Sequence, residues 1–186
     1  MDAGLPRRSD QIFDAALTLL AEGGYQRLTV EGIAERSGVH KTTLYRWWPS
    51  KDALLGRALV ESRLLDVEMP DTGTLRGDLE HLVGSAVRLL TAPATAPVIA
   101  AVLAGAGEHP ALAGHARAFF ADRLGRERAV VDRAVARGEL PPDVDAMLLF
   151  DLLGGAVWVR VLLRRLPPDP DTPARVVRAV LHGLSA

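Results

Sequence analysis

The chain has 186 residues, which is enough for one or two globular domains, and its formal net charge is −1. That balance excludes a protein that binds nucleic acid through an overall excess of positive charge, so any such affinity must come from a local patch. Because the sequence contains no cysteine, disulfide bonds and thiolate metal sites are excluded as well. Aromatic residues are few, whereas alanine, leucine, valine and arginine are abundant. This composition favours helices over strands and predicts an all-α protein.

Two segments bear on where the protein resides. The N-terminal segment lacks the apolar core of a secretory signal. The most apolar later segment, Met147 to Leu163, is interrupted by Asp151 and Arg160, which argues against a membrane span. We therefore expect a soluble cytoplasmic protein without a membrane partner.

The first predicted helix follows a short basic arm that ends in Arg7 and Arg8. The arm is either a disordered tail or an additional contact to phosphate or to the minor groove of DNA. Ser9 is the expected N-cap of the helix, and Gly23-Gly24 is expected to end it. Its apolar residues recur at helical spacing and are expected to pack behind two shorter helices. The expected core of this three-helix group consists of Phe13, Leu17, Ile33, Leu44 and Trp48.

Two short helices separated by a sharp turn are predicted in the segment from Leu28 to Leu54. Thr29 precedes the first and is a good N-cap, because its hydroxyl can accept a hydrogen bond from a free amide of the first turn. Gly38 is expected to end that helix in the left-handed conformation, and the next helix is expected to begin near His40. A helix, a short turn containing glycine and a second helix together form the helix-turn-helix pattern.

Lysines occupy two positions where the local electrostatics of a helix favour acids. Lys41 lies in the first turn of the second short helix, and Lys51 directly follows Ser50, the expected N-cap of the next helix. From Arg36 to Lys51 the chain has four basic residues and no acid. A DNA phosphate backbone would compensate for both features, because helix N-termini donate amides to phosphate and lysine adds charge. We therefore interpret this segment as a DNA-binding surface; the alternative is a solvated surface that happens to be basic.

The remaining sequence is predicted to form further helices separated by short breaks. Residues 51–70 are expected to form a connecting helix and a turn-rich linker. This connection separates a helix-turn-helix DNA-binding domain (residues 1–50) from a second helical domain (residues 71–186). With the final helix at 174–184, the chain should contain about nine helices in total.

The last two predicted helices are candidates for a subunit interface. The helix from Val144 to Leu163 is apolar on most sides, and a helix pair at a chain end has little chain left to cover its outer face. A second copy of the protein could cover that face, and burial within one subunit is the alternative. The residues predicted at the interface are Leu153, Val157, Val161, Val177 and Leu181.

The segment LTVEGIAERSGVHKTTLYRWWPSKDALL resembles the DNA-binding domain of the TetR family of bacterial transcriptional regulators. The resemblance extends over roughly Ser9 to Leu59. Its specific feature is the order of Gly-Tyr, Leu-Thr-Val, Ile-Ala, Ser-Gly-Val, Thr-Leu-Tyr, Pro-Ser-Lys and Ala-Leu. It implies a homodimer whose recognition helices enter successive major grooves of a palindromic operator, with repression as the expected mode of regulation. The positions that match the family's DNA contacts are Thr29, His40, Lys41, Thr42, Thr43, Tyr45, Trp47 and Lys51.

Three positions depart from the pattern of the family. The cap position that is often serine is His40 here, which is a poorer cap and could instead face a base or a phosphate. Trp47 replaces a smaller aromatic residue or histidine. Gly32 lies inside a predicted helix, where glycine costs about 1 kcal/mol relative to alanine.

The resemblance also implies a small-molecule effector, because in the family such a ligand binds the C-terminal helices, moves the DNA-reading domains apart and weakens DNA binding. The identity of the effector does not follow from the sequence. The residues predicted to line its pocket are Leu103, Phe119, Phe120, Met147 and Trp158, with ordinary core packing as the alternative for each. A ligand-independent helix-turn-helix protein that binds DNA constitutively is the alternative for the whole chain.

An enzyme is the remaining class of protein to consider. The candidate histidines, His81, His109, His115 and His182, are scattered and form no HExxH motif. No glycine-rich phosphate loop and no nucleophile elbow is present. We therefore predict no catalytic residue, metal or cofactor. The predicted partners are a double-stranded DNA operator, a second copy of the chain and an unidentified small molecule.

Overall fold

The computed structural model describes residues 6–167 and 169–182, and this part of the chain is all-helical. The predicted end of the last helix at Leu184 lies outside the described residues. Nine α-helices are present in the described part: α1 (Ser9–Arg27), α2 (Val30–Ser37), α3 (Lys41–Trp47), α4 (Lys51–Glu61), α5 (Leu75–Thr91), α6 (Ala96–Ala106), α7 (Pro110–Ala136), α8 (Ala146–Trp158) and α9 (Thr172–His182). A short 3₁₀ turn, Arg63–Leu65, follows α4.

The helices divide into two compact units. The first unit comprises the described residues up to Asp66 together with Pro93–Ala121, and the second comprises Val67–Ala92 and the described residues from Asp122 onward. The sequence places domain boundaries near residues 50 and 70, whereas in the structure α4 and α6 pack against α1 and so belong to the first unit. A helix that returns from a later part of the chain has no signal in the local pattern.

The first unit has a continuous apolar core built on α1, which packs against α2, α4 and α6. All five residues predicted for this core are buried, and the ring of Phe13 meets that of Trp48 edge to face at 5.6 Å between centroids. Because α3 is only seven residues long, its fully buried Leu44 and the Trp48 that follows fix it against the rest of the unit.

The predicted caps of the helix-turn-helix are confirmed. The hydroxyl oxygen of Thr29 accepts a hydrogen bond from the amide of Gly32 at 3.1 Å, and Ser50 accepts one from Ala53 at 3.1 Å. Gly38 ends α2 in the left-handed conformation, with φ at 64°. A Cβ atom at Gly32 would lie 3.1 Å from the Thr29 hydroxyl that caps the helix, but Ala53 carries a Cβ atom at the equivalent position after the Ser50 cap, so this contact does not explain the glycine.

The two ends of α1 differ from the sequence prediction. Ser9 is the first residue of the helix rather than its cap, because its amide bonds to the carbonyl of Pro6 at 2.9 Å and the turn starts one residue earlier. Gly24 breaks the regular helix as predicted, with φ at 71°, but one more turn follows and ends at Arg27. This extra turn carries Tyr25.

In the second unit, α5 packs against α8 and α9, and a buried carboxylate fixes the start of α5. Asp78 is completely buried and accepts hydrogen bonds from the amide and the hydroxyl of Thr72, at 2.7 and 2.8 Å. The guanidinium groups of Arg133 and Arg137 approach its other oxygen at 3.6 and 3.9 Å. Burial by itself would raise the pKa of Asp78, but the bonds from Thr72 and the two positive charges lower it below its usual value overall.

The apolar helix α8 continues as a wider π-helical turn, Val159–Leu163. Within the described part of the chain, Ala146–Leu163 is long and apolar enough to cross a membrane by length and composition alone. Core helices of soluble proteins have the same composition, and α8 packs against α5 and α9. On α8 itself, the apolar side chains of Met147, Leu148 and Leu152 remain exposed.

Candidate nucleic-acid interface

The surface of α3 separates cleanly into an inner apolar side and an outer polar side. Leu44 faces the core and is fully buried. Thr43 and Trp47 are half-buried at the edges of the helix. The exposed side chains at and around α3 are His40, Lys41, Thr42, Tyr45 and Arg46. This short helix is thus held by one side and offers donors, a phenol ring and two positive charges on the other.

The positive N-terminal end of α3 has neither a side-chain cap nor an acidic residue in its first turn. His40 precedes the helix but its side chain makes no capping hydrogen bond, and the first turn holds the exposed Lys41 and no acid. The positive end of the helix and the lysine charge therefore reinforce each other. An anion from a partner, such as a DNA phosphate, would relieve this arrangement.

An open groove runs between α2 and the start of α3 and contains both signs of charge. Its lining includes Glu31 and Glu35 of α2 opposite His40 and Lys41. These carboxylates were not predicted as part of the surface, because both precede the acid-free stretch that begins at Arg36. The groove is therefore not basic throughout, and the exposed cations of α3 are Lys41 and Arg46.

Arg36, the first of the four basic residues in that stretch, is already paired. Its guanidinium donates to both carboxylate oxygens of Glu22, at 2.6 and 2.9 Å, and ties α2 to α1. The hydrogen bond from Arg36 also lowers the pKa of Glu22 below its ordinary value. Arg36 therefore contributes little free charge to a DNA-binding surface. Arg46, which the predicted contacts omit, is the exposed guanidinium on α3 itself.

Lys51 is half-buried and has an internal partner. Its ammonium donates to the carbonyl oxygen of Tyr25 at 3.1 Å and lies 4.3 Å from the centre of the Tyr25 ring. The carbonyl at the end of α1 and the ring face both favour a cation. Lys51 at the start of α4 is thus compensated within the protein, which removes one of the two electrostatic reasons for expecting DNA there. An ammonium has three donor hydrogens, so a phosphate contact remains geometrically open.

Two further predicted DNA contacts, Thr29 and Trp47, have polar atoms that are engaged or buried within the protein. Thr29 is exposed at the start of α2, but its hydroxyl is engaged as the helix cap. The indole nitrogen of Trp47 is buried and, within the described residues, has no hydrogen-bond partner. Any contact of Trp47 with DNA would therefore use the edge of its ring and not its N–H group.

The N-terminal arm supports the turn of the helix-turn-helix. Arg8 donates from its guanidinium to the carbonyl oxygen of Gly38 at 3.2 Å. Gly38 is the residue at which α2 ends, so this bond satisfies a carbonyl at the turn. At Arg8 the structure thus shows a contact within the protein, and Arg7 beside it is exposed.

The predicted effector-pocket residues fall in both units. Leu103, Phe119 and Phe120 belong to the first unit, where the two phenylalanine rings meet edge to face at 5.6 Å. Phe119 packs against the core, whereas Leu103 and Phe120 are exposed. Met147 and Trp158 belong to the second unit, with Met147 exposed and Trp158 half-buried. Their role as a pocket lining stays a prediction.

Three of the predicted interface residues are in the wrong place for a subunit contact. Leu153, Val157 and Val177 are buried inside the second unit, because α8 and α9 pack against α5 with these side chains inward. Val161 and Leu181 are half-buried. The exposed apolar side chains on this part of the chain are instead Met147, Leu148, Leu152, Val159 and Leu163. The sequence pattern did not indicate which of the apolar sides of α8 faces outward, and the role of this helix in a subunit contact stays a prediction.

No group of three or more histidine, aspartate or glutamate residues that could hold a metal ion occurs in the described ranges. His109 and His115, both of the first unit, serve other contacts. His109 stacks on Tyr25, and His115 lies against Gly56, where a Cβ atom would come within 2.6 Å of its ring.

The comparisons with known proteins agree with this arrangement. Residues 12–58 match the domain described as bacterial regulatory proteins, tetR family, and residues 69–180 match the tetracyclin repressor-like, C-terminal domain. The chain is 35% identical over 177 residues to a DNA-binding transcriptional repressor TetR of Mycobacteroides abscessus, which covers 94% of this chain and 92% of that one.

A second relative is an uncharacterized HTH-type transcriptional regulator of Mycobacterium tuberculosis, 34% identical over 175 residues, or 94% of this chain and 86% of the relative. Among solved structures, the TetR family transcription regulator SCO0332 superimposes with a TM-score of 0.76 at 32% identity and covers 95% of this chain and 97% of its own. The chain therefore belongs to the TetR family of helix-turn-helix, DNA-binding transcriptional regulators.

Proposed function

We propose that the protein is a homodimeric transcriptional repressor that binds a palindromic operator in the cytoplasm and is released from it by a small-molecule effector. The observation that carries the DNA-binding part is the outer side of α3. It exposes Lys41, Thr42, Tyr45 and Arg46 while the buried Leu44 holds the helix in place. A helix of this kind fits the major groove, where such side chains reach base edges and phosphates.

The contacts divide by chemistry into those that read sequence and those that grip phosphate. Lys41, Thr42 and Arg46 carry donors at the exposed side of α3 and are proposed to reach base edges and adjacent phosphates. His40, Thr43, Tyr45 and Trp47 flank them. Thr29 and Lys51 stand at the starts of α2 and α4 and are proposed to contact the phosphate backbone.

The dimer is proposed to form through the outer side of α8. Leu148, Leu152, Val159 and Leu163 are exposed and follow one another at helical spacing. Gly154 and Gly155 lie among them, and a Cβ atom at either would meet open space, so a partner helix could approach the backbone. Because a monomer gains nothing from exposing these side chains to water, a second copy is the occupant that the family favours.

Random-sequence duplex DNA provides the direct test of this function. Selection with the purified protein should enrich a two-fold symmetric site whose halves lie about one helical turn apart or further, roughly 34–36 Å. A reporter gene behind the selected site should be silenced by the protein. Enrichment of a single asymmetric half-site would contradict the dimer, and no enrichment at all would contradict operator recognition.

The effector part of the proposal rests on the family relationship. A library of small molecules should contain compounds that raise the melting temperature and also release the selected DNA, because a ligand that binds one state preferentially shifts the population. Substitution of Phe120 or Met147 by alanine should reduce the response if those residues line the pocket. If every stabilising compound leaves the DNA bound, the ligand-independent alternative is favoured.

A further inference from the structure

Five side chains from separate parts of the first unit meet at one place, which we call the Tyr25 cluster: Tyr25, Gln26, Lys51, Asp52 and His109. Tyr25 and Gln26 lie in the last turn of α1, after the break at Gly24. Lys51 and Asp52 form the first turn of α4. His109 lies in the α6–α7 turn (residues 107–109), 83 residues after Gln26 along the chain.

Tyr25 contacts both charged residues at the start of α4. Its carbonyl accepts a hydrogen bond from the ammonium of Lys51 at 3.1 Å, and that ammonium lies 4.3 Å from the ring centre. Its phenol donates to a carboxylate oxygen of Asp52. Burial, together with the bond to Asp52 and its negative charge, raises the pKa of the Tyr25 phenol to about 12, so the donor hydrogen is retained at neutral pH.

His109 fixes Tyr25 from the α6–α7 turn. The two rings stack in a tilted arrangement with their centroids 4.7 Å apart, and a ring nitrogen of His109 is 3.1 Å from the amide nitrogen of Gln26. The end of α6 approaches equally closely at Gly105. A Cβ atom there would lie 3.7 Å from the Tyr25 Cβ and only 2.6 Å from the buried Leu112. The contact between the end of α6 and Tyr25 is thus an ordinary one, whereas a side chain at residue 105 would have to displace the Leu112 side chain.

We propose that Tyr25, braced by His109, is a positioning residue that holds the Lys51 ammonium ready for a DNA phosphate, so that the α6–α7 turn controls how tightly the protein grips DNA. A free lysine side chain loses much of its rotamer entropy when it binds a phosphate. A lysine that is already held loses less, and one of its donors can bond Tyr25 while the other two remain for phosphate. When the turn moves, Tyr25 no longer holds Lys51. The lysine side chain must then lose its rotamer entropy on binding phosphate, and the affinity for DNA falls.

Coupling between variants separates positioning from a general effect on folding. The affinity of the full-length protein for a duplex carrying its selected site is measured at one salt concentration, for Tyr25→Leu and His109→Ala, each with Lys51 and with Lys51→Ala. With Lys51 present, each variant should weaken binding about three- to tenfold. In the Lys51→Ala background the same substitutions should have no further effect, because the side chain they position is gone.

Conservative variants test which atoms matter. Tyr25→Phe keeps the ring under the ammonium, and His109→Phe keeps the stacked ring, so both should bind nearly as tightly as the unmodified protein. Glu108→Gln changes an exposed neighbour in the same turn and serves as the matched control.

Because this inference rests on the proposed function, the outcomes must distinguish the two. If the unmodified protein binds no duplex, both the function and the inference are overturned. If it binds and Lys51→Ala weakens it, but Tyr25→Leu and His109→Ala do not, the function stands and the positioning role is overturned. Equal losses from these substitutions with and without Lys51 would also overturn the role, since the effect would then come through the fold.

Discussion

The ammonium nitrogen of Lys51 lies 3.1 Å from the carbonyl oxygen of Tyr25 and 4.3 Å from the centre of its ring. A lysine in the first turn of a helix opposes the helix dipole, and here the end of another helix compensates for it. Lys41 occupies the equivalent position in α3 but is exposed beside a cap that makes no side-chain bond. The two lysines are therefore expected to contribute differently to DNA binding.

Lys51→Ala should weaken binding to all duplex sequences by a similar factor, because it removes a phosphate contact that carries no sequence information. The slope of the logarithm of affinity against the logarithm of salt concentration should become shallower by about one unit for each lost contact. Fluorescence anisotropy across a salt series measures that slope. A slope equal to that of the unmodified protein would remove Lys51 from the interface.

Lys41→Ala should change which sequences are preferred, because the side chain lies on the exposed side of α3 near the turn. Loss of a good base contact costs about 1–3 kcal/mol of discrimination at one position. A selection from random DNA, performed in parallel with Lys51→Ala as the control, should show relaxed preference at one position in each half-site. Identical selected sites for both variants would contradict this division of roles.

The outer side of α8 should determine the oligomeric state. Leu152 is 51% exposed and its neighbour Leu153 is 3% exposed, which provides a matched pair of substitutions. Leu152→Glu should give folded monomers that no longer bind the palindromic site, since it places a charge in the proposed interface. Light scattering combined with circular dichroism measures mass and folding together.

Leu153→Ala should instead leave the dimer intact at low temperature and lower the free energy of unfolding by about 2–5 kcal/mol, the cost of a cavity in a core. A dimer that survives Leu152→Glu would show that the exposed side of α8 is not the subunit contact.

Asp78 should make the stability of the second unit depend on acid pH. Its pKa is lower in the folded protein than in the unfolded chain, so its contribution is present above the unfolded value of about 3.9 and is lost as the pH falls through the folded value. Asp78→Asn should reduce the free energy of unfolding at neutral pH by about 2 kcal/mol. The loss should shrink as the pH falls below about 4.

Urea denaturation of both proteins between neutral and acidic pH measures this difference. Asp71→Asn is a suitable control, because Asp71 is exposed and its carboxylate lies 3.6 Å from the guanidinium of Arg133, which also approaches Asp78. A constant difference between Asp78→Asn and the unmodified protein at every pH would show that the carboxylate does not titrate as described.

The local features of the helix-turn-helix were predictable because they depend on neighbouring residues. The caps at Thr29 and Ser50, the left-handed Gly38 and the inward Leu44 each follow from the sequence within one or two turns. Periodicity also located the apolar helix α8. It could not say which of its apolar sides would face α5 and α9, because the helix is apolar nearly all round.

Contacts between distant residues were not predictable. The stack of Tyr25 on His109 joins two positions between which α2 to α6 lie in the chain. No local sequence pattern predicts a contact at that separation. The same limit applies to Arg36. The sequence predicts it as part of a basic surface, whereas in the structure its guanidinium is bonded to the carboxylate of Glu22. A charge read from sequence is free only if no partner reaches it in the fold.

The salt dependence of duplex binding by the unmodified dimer tests the DNA-reading role of α3 most directly. With Lys51 and the exposed α3 surface of two subunits lying against the DNA backbone, the logarithm of affinity should fall linearly with the logarithm of salt concentration, by about one unit of slope for each phosphate neutralised. Binding that is absent at low salt, or that does not change as salt is raised, would show that the exposed side of α3 does not engage the DNA backbone.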